Sequence, residues 1–203
     1  MNRRFRAAQA VDSRGATWSA DDLSDLDKDL SKDWNGPAVA AVVMGVAGSG
    51  KSTIGARLAE KLGCGFYDGD DYHPPANLEK MGRGQPLTDE DRGPWLDRLR
   101  ELIGEKLAAG ESAVIACSAL RRTYRARLLP PDVKLANHVR FVYLHISPEV
   151  ARERLLARAG HFMPATLVAS QFGTLEEPED ALRIDAGKPL AEVVENAIHG
   201  LFG

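Results

Sequence analysis

Hydrophobic positions follow two different spacings from residue 39 onward. Short runs that are apolar throughout are typical of parallel strands that helices cover on both faces. Such runs lie at 39–44, 113–117 and 139–145, with shorter candidates at 64–67 and 182–184. Stretches with apolar residues three or four positions apart, which predict helices with one buried face, lie between these runs and after the last one. The alternation predicts a three-layer α/β fold with right-handed crossovers.

Capping residues predict where the helices begin and end. Gly63 ends a helix whose apolar stripe is Ile54, Leu58 and Leu62. Thr88 precedes three acidic residues, which predicts the start of a long helix because acidic side chains suit the positive end of the helix dipole. Ser147 and Pro148 predict another helix directly after the fourth strand. The final helix has an apolar face formed by Leu190, Val193, Val194, Ala197, Ile198 and Leu201.

Residues 1–37 differ in composition from the rest of the chain. A basic start passes into an acidic run with six aspartates, namely Asp21, Asp22, Asp25, Asp27, Asp29 and Asp33. Leu23, Leu26 and Leu30 recur at helical spacing, so a short amphipathic helix resting on the body is the alternative to a solvated tail. We predict a flexible N-terminal extension over residues 1–37 and, because 203 residues suit a single core, one domain over residues 38–203.

Composition and charge exclude several classes of protein. Apolar residues make up 44% of the chain and charged residues 27%, which is typical of a globular protein. The net charge of -3 argues against a general nucleic-acid-binding protein, which usually needs a basic surface. No stretch approaches the roughly 18 apolar residues of a membrane span, and the start lacks the apolar segment of a signal peptide. Cys64 and Cys117 are too few for a disulfide framework. We therefore expect a cytoplasmic protein that binds neither nucleic acid nor membrane.

A glycine-rich segment lies between the first predicted strand and the helix after it. Residues 45–52 fit G-x-x-x-x-G-K-[ST], a pattern that wraps backbone amides around the phosphates of a nucleotide. Lys51 is predicted to reach the β and γ phosphates of ATP, and Ser52 to place its hydroxyl on Mg²⁺. A glycine-rich turn that binds nothing is the alternative, but it does not explain the Lys-Ser pair. The predicted nucleotide-binding residues are Gly45, Val46, Ala47, Gly48, Ser49, Gly50, Lys51, Ser52 and Thr53.

Acidic residues follow the second predicted strand. Asp68, Asp70 and Asp71 are expected at the carboxyl edge of the sheet, beside the strand that leads into the glycine-rich segment, where open α/β folds bind ligands. A carboxylate there can orient an acceptor hydroxyl, accept its proton and help to hold a metal ion. Strand 113–117 ends without the aspartate that many P-loop proteins use for Mg²⁺, which makes the earlier aspartates more necessary. A solvated acidic turn is the alternative.

Basic residues follow the third predicted strand. Residues 118–125 read Ser-Ala-Leu-Arg-Arg-Thr-Tyr-Arg, and their guanidinium groups are suited to binding an anionic substrate through paired hydrogen bonds. An exposed cluster of charges on a helix is the alternative.

Four blocks in succession resemble the gluconate kinase family of P-loop small-molecule kinases. They are MGVAGSGKS, DGDDYHPPANLEKMGRGQPLTDEDRGPWL, CSALRRTYR, and ARAGHF with SQFGTLEEP. The resemblance covers the chain from Val39 to its end. It implies a P-loop NTPase fold similar to shikimate kinase, with a five-stranded parallel sheet and a lid segment. It further implies a homodimer that transfers the γ-phosphoryl group of ATP to the 6-hydroxyl of D-gluconate.

The resemblance also suggests roles for individual residues. Asp70 would orient the acceptor hydroxyl, and Asp68 would assist through Mg²⁺ and its waters. The substrate-binding residues would be Arg92 and Arg121, with Asp70, His73, Lys80 and Ser118. Residues 154–162 resemble the lid, from which Arg154 would bind the nucleotide and Arg158 would act in catalysis with Lys51, Asp68 and Asp70. Surface positions on the helix after Ser147 are the alternative for both lid arginines, and His161 is a weaker candidate.

Two other functions fit parts of the pattern. Another small-molecule kinase of the shikimate-kinase type would share the phosphate cradle and differ in its acceptor. A regulatory protein that binds ATP without phosphorylating a metabolite would explain the acidic extension. Phosphorylation of a panel of acceptors separates these functions.

Overall fold

The structure is a computed structural model, and it describes residues 36–157 and 165–202. Five parallel strands form the sheet at its centre, in the order β2-β3-β1-β4-β5. The strands are β1 Ala40–Met44, β2 Gly65–Asp68, β3 Ala113–Ala116, β4 Val139–His145 and β5 Leu182–Asp185. The predicted α/β fold with a five-stranded parallel sheet is therefore confirmed.

Helices cover both faces of the sheet. Within the described ranges they are α1 Lys51–Leu62, α2 Pro75–Gly82, α3 Asp89–Ala108, α4 Arg122–Leu128, α5 Val133–Ala136, α6 Pro148–Ala157, α7 Ala165–Thr174 and α8 Leu190–Phe202. A one-turn 3₁₀ helix spans Gly69–Tyr72. One hydrophobic cluster packs α1, α6, α7 and α8 against the sheet, and a second packs α3 and α4 against the opposite face. These are the three predicted layers.

Strand β1 explains why its sequence is apolar without interruption. Ala41 and Val43 belong to one hydrophobic cluster, whereas Ala40, Val42 and Met44 belong to the other. All five side chains are at most 1% exposed. Because successive side chains of a strand point to opposite faces, a strand with a helix layer on each side has no position for a polar residue.

The predicted capping of the long helix is also confirmed. The Thr88 hydroxyl accepts a hydrogen bond from the Asp91 amide, and the Asp91 carboxylate accepts one from the Thr88 amide. This reciprocal pair satisfies two amides that a helix start would otherwise leave unpaired.

Strand order corrects one expectation. The strand that ends at Asp68 does not lie beside β1, since β3 lies between them. The β2–β3 and β1–β3 pairs place Gly65 and Ala40 on either side of Ala113. The predicted carboxylates are therefore one strand farther from the glycine-rich segment than expected, although they lie at the same edge of the sheet.

Candidate nucleotide and acceptor site

The glycine-rich segment adopts a backbone that other residues rarely allow. Gly45, Gly48 and Gly50 have φ angles of 146°, 83° and 92°, all in the range that favours glycine. A Cβ atom on Gly45 would lie 2.8 Å from the Leu144 carbonyl oxygen, and one on Gly48 would lie 2.7 Å from that of Ala151. The glycines thus let the segment curl closely between β4 and α6, with α1 starting directly after it.

Polar groups of this cradle suit a phosphate chain and a hard cation. Ser49 is fully buried, and its Oγ has no hydrogen-bond partner in the described part of the chain. Lys51 Nζ donates to the Val46 carbonyl oxygen at 3.1 Å, so its ammonium group lies over the loop. Ser52 and Thr53 are exposed in the first turn of α1, where helix N–H groups favour anions. The cradle fits a nucleotide, and the Ser52 hydroxyl is an oxygen ligand of the kind that Mg²⁺ takes.

A side chain from a distant helix also contacts the cradle. Gln171 on α7 accepts a hydrogen bond from the Ala47 amide through its Oε1 atom at 2.6 Å. Sequence reasoning gave Gln171 no role, although it belongs to the block SQFGTLEEP. Neither residue type nor local spacing indicates a contact between positions 124 residues apart.

The end of β3 joins the two halves of the site. On one side, the Gly45 amide donates to the Ser118 carbonyl oxygen at 3.3 Å. On the other side, Asp68 pairs with Ala116 in the sheet, and a Cβ atom on Gly69 would overlap the Ala116 carbonyl oxygen. The cradle and the acidic turn therefore flank the same short piece of backbone.

Electrostatics at Cys117 indicate the same convergence. This thiol is buried at the end of β3, and burial is the main reason that its pKa rises to about 12. The charge of Lys51 lowers the pKa of Cys117, whereas the charges of Asp70 and Asp68 raise it. The charges of the cradle lysine and of the two predicted carboxylates therefore all act on this thiol at the end of β3.

Hydrogen bonds and stacking fix the acidic turn. The Asp68 carboxylate accepts from the Asp70 amide at 3.2 Å, and Trp95 Nε1 donates to the Gly69 carbonyl oxygen at 2.7 Å. His73 stacks on Trp95 with ring centroids 4.2 Å apart. Burial is the first cause of a lowered pKa at His73. His73 therefore supports the turn through this stacking, and the Asp70 side chain remains exposed at the sheet edge.

The two predicted substrate arginines come together around one carboxylate. Arg121 Nη1 donates to Asp89 Oδ2 at 2.7 Å, the Tyr124 hydroxyl donates to Asp89 Oδ1, and Arg92 Nη1 lies 3.8 Å from that same oxygen. Both guanidinium groups also lie over the Tyr124 ring, at 5.6 and 5.7 Å from its centroid. The arrangement shows that this surface holds a carboxylate, here one from α3.

The loop after β3 carries these groups in an unusual backbone conformation. Ala119 is buried with a φ angle of 45°, which residues with a Cβ atom seldom adopt. The buried Arg125 side chain donates to the carbonyl oxygens of Ala119 at 3.2 Å and Leu120 at 3.3 Å. Arg125 therefore holds the loop between Ser118 and Arg121 in place, a role that the sequence did not reveal.

Other predicted residues have partners elsewhere in the described part of the chain. Lys80 pairs with Asp91, and this hydrogen bond is the main cause that lowers the Asp91 pKa to about 2. Lys80 thus supports the capped start of α3. Arg154 Nη2 donates to the Ala186 carbonyl oxygen at 2.7 Å, and burial lowers the Arg154 pKa. Arg158 and His161 lie outside the described residues.

Gly69 gives a direct test of how closely the turn packs on β3. Gly69→Ala is expected to lower the free energy of unfolding by about 1–3 kcal/mol, because the added methyl group overlaps the Ala116 carbonyl oxygen. Gly82→Ala is the matched control, since nothing lies within 4 Å of a Cβ atom there. Urea unfolding of both variants measures the difference, and equal stabilities would contradict the packing.

Strand, cradle and helix together define a P-loop nucleotide-binding protein. A family model described as an AAA domain matches residues 41–178. The chain is 48% identical over 167 residues to a probable gluconokinase of Xenopus tropicalis, with 75% of this chain and 88% of the relative covered. It is 46% identical over 160 residues to a gluconokinase of Gluconobacter oxydans, with coverage of 77% and 88%.

A solved structure agrees with these relatives. The crystal structure of a gluconokinase from Sinorhizobium meliloti 1021 superposes with a TM-score of 0.70 at 47% identity, covering 81% of this chain and 91% of that one. The chain belongs to the gluconokinase family. None of its described helices is both long and apolar enough to cross a membrane.

Proposed function

We propose that the protein transfers the γ-phosphoryl group of ATP to the 6-hydroxyl of D-gluconate, giving 6-phosphogluconate and ADP. The observation that carries this proposal is that the cradle and the turn after Asp68 lie on the two sides of the end of β3. Phosphoryl transfer needs a cationic cradle facing a carboxylate that aims the acceptor hydroxyl, and positioning supplies most of the catalysis. The gluconokinase relatives favour gluconate as that acceptor.

The cradle holds the donor. Residues 45–53 would surround the phosphates with backbone amides other than those of Gly45, Ala47 and Ser49, which donate within the protein. The Lys51 ammonium would neutralise charge on the β and γ phosphates. Ser52 and Asp68 would hold Mg²⁺, which would supply positive charge to neutralise the phosphates. No group of three or more His, Cys, Asp or Glu side chains within the described ranges is placed to hold a metal by itself.

Asp70 directs the acceptor. Its carboxylate is exposed at the carboxyl edge of the sheet, while its amide is fixed by Asp68. In this position it would accept a hydrogen bond from the sugar hydroxyl and take its proton as the new ester bond forms. The buried indole of Trp95 keeps the turn from shifting, because it holds the Gly69 carbonyl oxygen.

The arginine pair recognises the acid group of the substrate. The Arg121 guanidinium uses Nη1 on Asp89 and is 40% exposed, which leaves a face available to a second carboxylate. Arg92 donates through Nη1 to the Leu87 carbonyl oxygen at 2.6 Å and lies beside the same Asp89 carboxylate. His73, Lys80 and Ser118 would complete the sugar pocket from the neighbouring turn, helix and loop.

Several further features of the protein belong to the same proposal. Arg154 and Arg158 would close over the phosphates as part of a lid, which excludes water from the transfer. Arg154 donates a hydrogen bond to the Ala186 carbonyl oxygen, so its side chain lies beside the segment that follows β5. The protein would act as a cytoplasmic homodimer, with residues 38–203 as the kinase domain and residues 1–37 as an extension to it.

A panel of acceptors tests the proposal. With Mg²⁺ and ATP, D-gluconate is expected to stimulate ADP release far more than shikimate, glucose or AMP, measured in a coupled assay. ADP release that does not respond to gluconate would contradict the proposed acceptor. Preference for shikimate would indicate the related class of small-molecule kinase, and ATP binding with no acceptor at all would indicate a regulatory protein.

A further inference from the structure

Helix α7 packs directly beside the phosphate cradle. Val168 on α7 is 5% exposed and belongs to the same hydrophobic cluster as Val46, and Phe172 packs against that cluster. Gln171 lies between these two apolar residues in the sequence and is half-buried. Its side chain thus reaches the cradle from a helix that packing holds in place.

The contact falls on the backbone of the cradle itself. Gln171 Oε1 accepts from the Ala47 amide at 2.6 Å, in the limb of the loop that runs from Val46 to Gly48. In the same limb, the Val46 carbonyl oxygen accepts a hydrogen bond from Lys51 Nζ, and Gly48 packs closely against Ala151. Gln171 therefore restrains this limb from α7, in addition to the contacts made by Lys51 and Ala151.

The segment after α7 is anchored on the acceptor side of the site. The Glu176 amide donates to the Leu120 carbonyl oxygen at 2.8 Å, and the Arg122 amide donates to the Glu176 carboxylate at 2.7 Å. The buried Arg125 side chain donates to the Glu176 carbonyl oxygen at 3.0 Å. Residues 171–176 therefore connect the cradle to the loop that carries Arg121.

We propose that Gln171 is a positioning residue of the nucleotide site, which holds the Ala47 amide and thereby sets the shape of the cradle for the ATP phosphates. Through residues 171–176 it ties that shape to the loop that carries the substrate arginine. This inference rests on the nucleotide-binding part of the proposed function and does not depend on the acceptor.

Two variants separate positioning from simple packing. Gln171→Ala removes the acceptor of the Ala47 amide, and the dissociation constant of Mg-ATP is expected to rise about 3- to 10-fold, the range of one lost hydrogen bond. Gln171→Glu keeps an acceptor of the same length but brings a negative charge to the cradle. It is also expected to weaken ATP binding, and this loss should shrink as salt screens the charge.

Isothermal titration of ATP in the presence of Mg²⁺, at low and at high salt, measures these effects without an acceptor. Ser170→Ala is the matched control, because Ser170 is exposed on the same helix one residue earlier. Thermal unfolding identifies any variant that is generally destabilised. If Gln171→Ala folds poorly, Gln171→Glu still tests the proposal, because it keeps the hydrogen-bond acceptor.

The outcomes are distinct. Weaker ATP binding by both variants, with a salt-dependent loss only in Gln171→Glu, supports the proposal. Wild-type ATP affinity in Gln171→Ala would mean that residue 171 only packs and would overturn the proposal. Wild-type affinity in Gln171→Glu at low salt would mean that this side chain does not reach the cradle and would overturn it too. If the wild type binds ATP but does not phosphorylate gluconate, the proposed acceptor fails while the role of Gln171 is still measured. If it binds no ATP, both proposals fail.

Discussion

Replacing Lys51 with alanine is expected to lower kcat for gluconate phosphorylation by roughly 10²- to 10³-fold, the effect of removing one preorganised group that stabilises transition-state charge. The ammonium group lies over the cradle through the Val46 carbonyl oxygen and acts electrostatically on Cys117 between the two halves of the site. Its loss leaves the developing charge on the transferred group without the cation of the cradle. Steady-state kinetics with saturating ATP and gluconate measure the effect.

Lys61→Ala is the control for this variant. Lys61 lies in the last turn of the same helix, at the end opposite the cradle, so its removal should leave kcat unchanged. Both variants should unfold at the temperature of the wild type or close to it. A Lys51→Ala protein with near wild-type kcat would show that the cradle does not stabilise the transferred phosphoryl group.

Replacing Asp70 with asparagine is expected to lower kcat by roughly 10²- to 10⁴-fold, the usual contribution of a positioned general base. Asparagine fills the same volume, and the backbone N–H of residue 70 can still donate to the Asp68 carboxylate, so the turn should keep its shape. The side-chain amide of asparagine, however, cannot accept the proton of the acceptor hydroxyl. The change should therefore appear in kcat, with little effect on the dissociation constant of ATP.

Asp71→Asn is the matched control, since it removes the same charge one residue farther along the same 3₁₀ helix. Its kcat should stay close to that of the wild type. If both variants lose activity equally, the effect comes from the charge of the turn as a whole. If neither does, Asp70 does not aim the acceptor.

The sheet could be predicted from sequence because burial on both faces imposes a visible pattern. All five strands lie within one residue or so of the apolar runs at either end, and β4 coincides with its run. The order of the strands was not predictable from these runs. A buried strand is apolar whichever strands lie beside it, so its composition does not identify its neighbours in the sheet. That is why the turn after Asp68 was expected beside β1, although β3 lies between them.

Short helices left weaker signals. Helices α2 and α4 have eight and seven residues, too few for a clear apolar period. No helix was predicted at α2, and a helix at α4 was considered only as the alternative to an anion-binding segment. Helix α3 was predicted together with its cap, because Thr88 and the acidic first turn form a local pattern. Local patterns are therefore found from sequence, whereas elements shaped by tertiary packing are not.

The same distinction applies to the site. The cradle follows from local spacing, since glycines at fixed positions are required by a backbone with positive φ angles. Partners that reach the site across the fold carry no such signal. Gln171 meets Ala47 from 124 positions away, and Asp89 joins Arg121 from 32 positions away. The residue types alone suggested that an arginine binds an anion, but they could not show that α3 supplies one.

The identity of the product tests the central proposal most directly. Wild-type protein with Mg²⁺, ATP and D-gluconate is expected to give a phosphate ester whose phosphorus-31 signal is split into a triplet by the methylene protons on C6. A doublet would place the phosphoryl group on a secondary hydroxyl and contradict the proposal that Asp70 orients the 6-hydroxyl. Absence of any new ester signal, with ATP remaining intact, would contradict the proposed reaction itself.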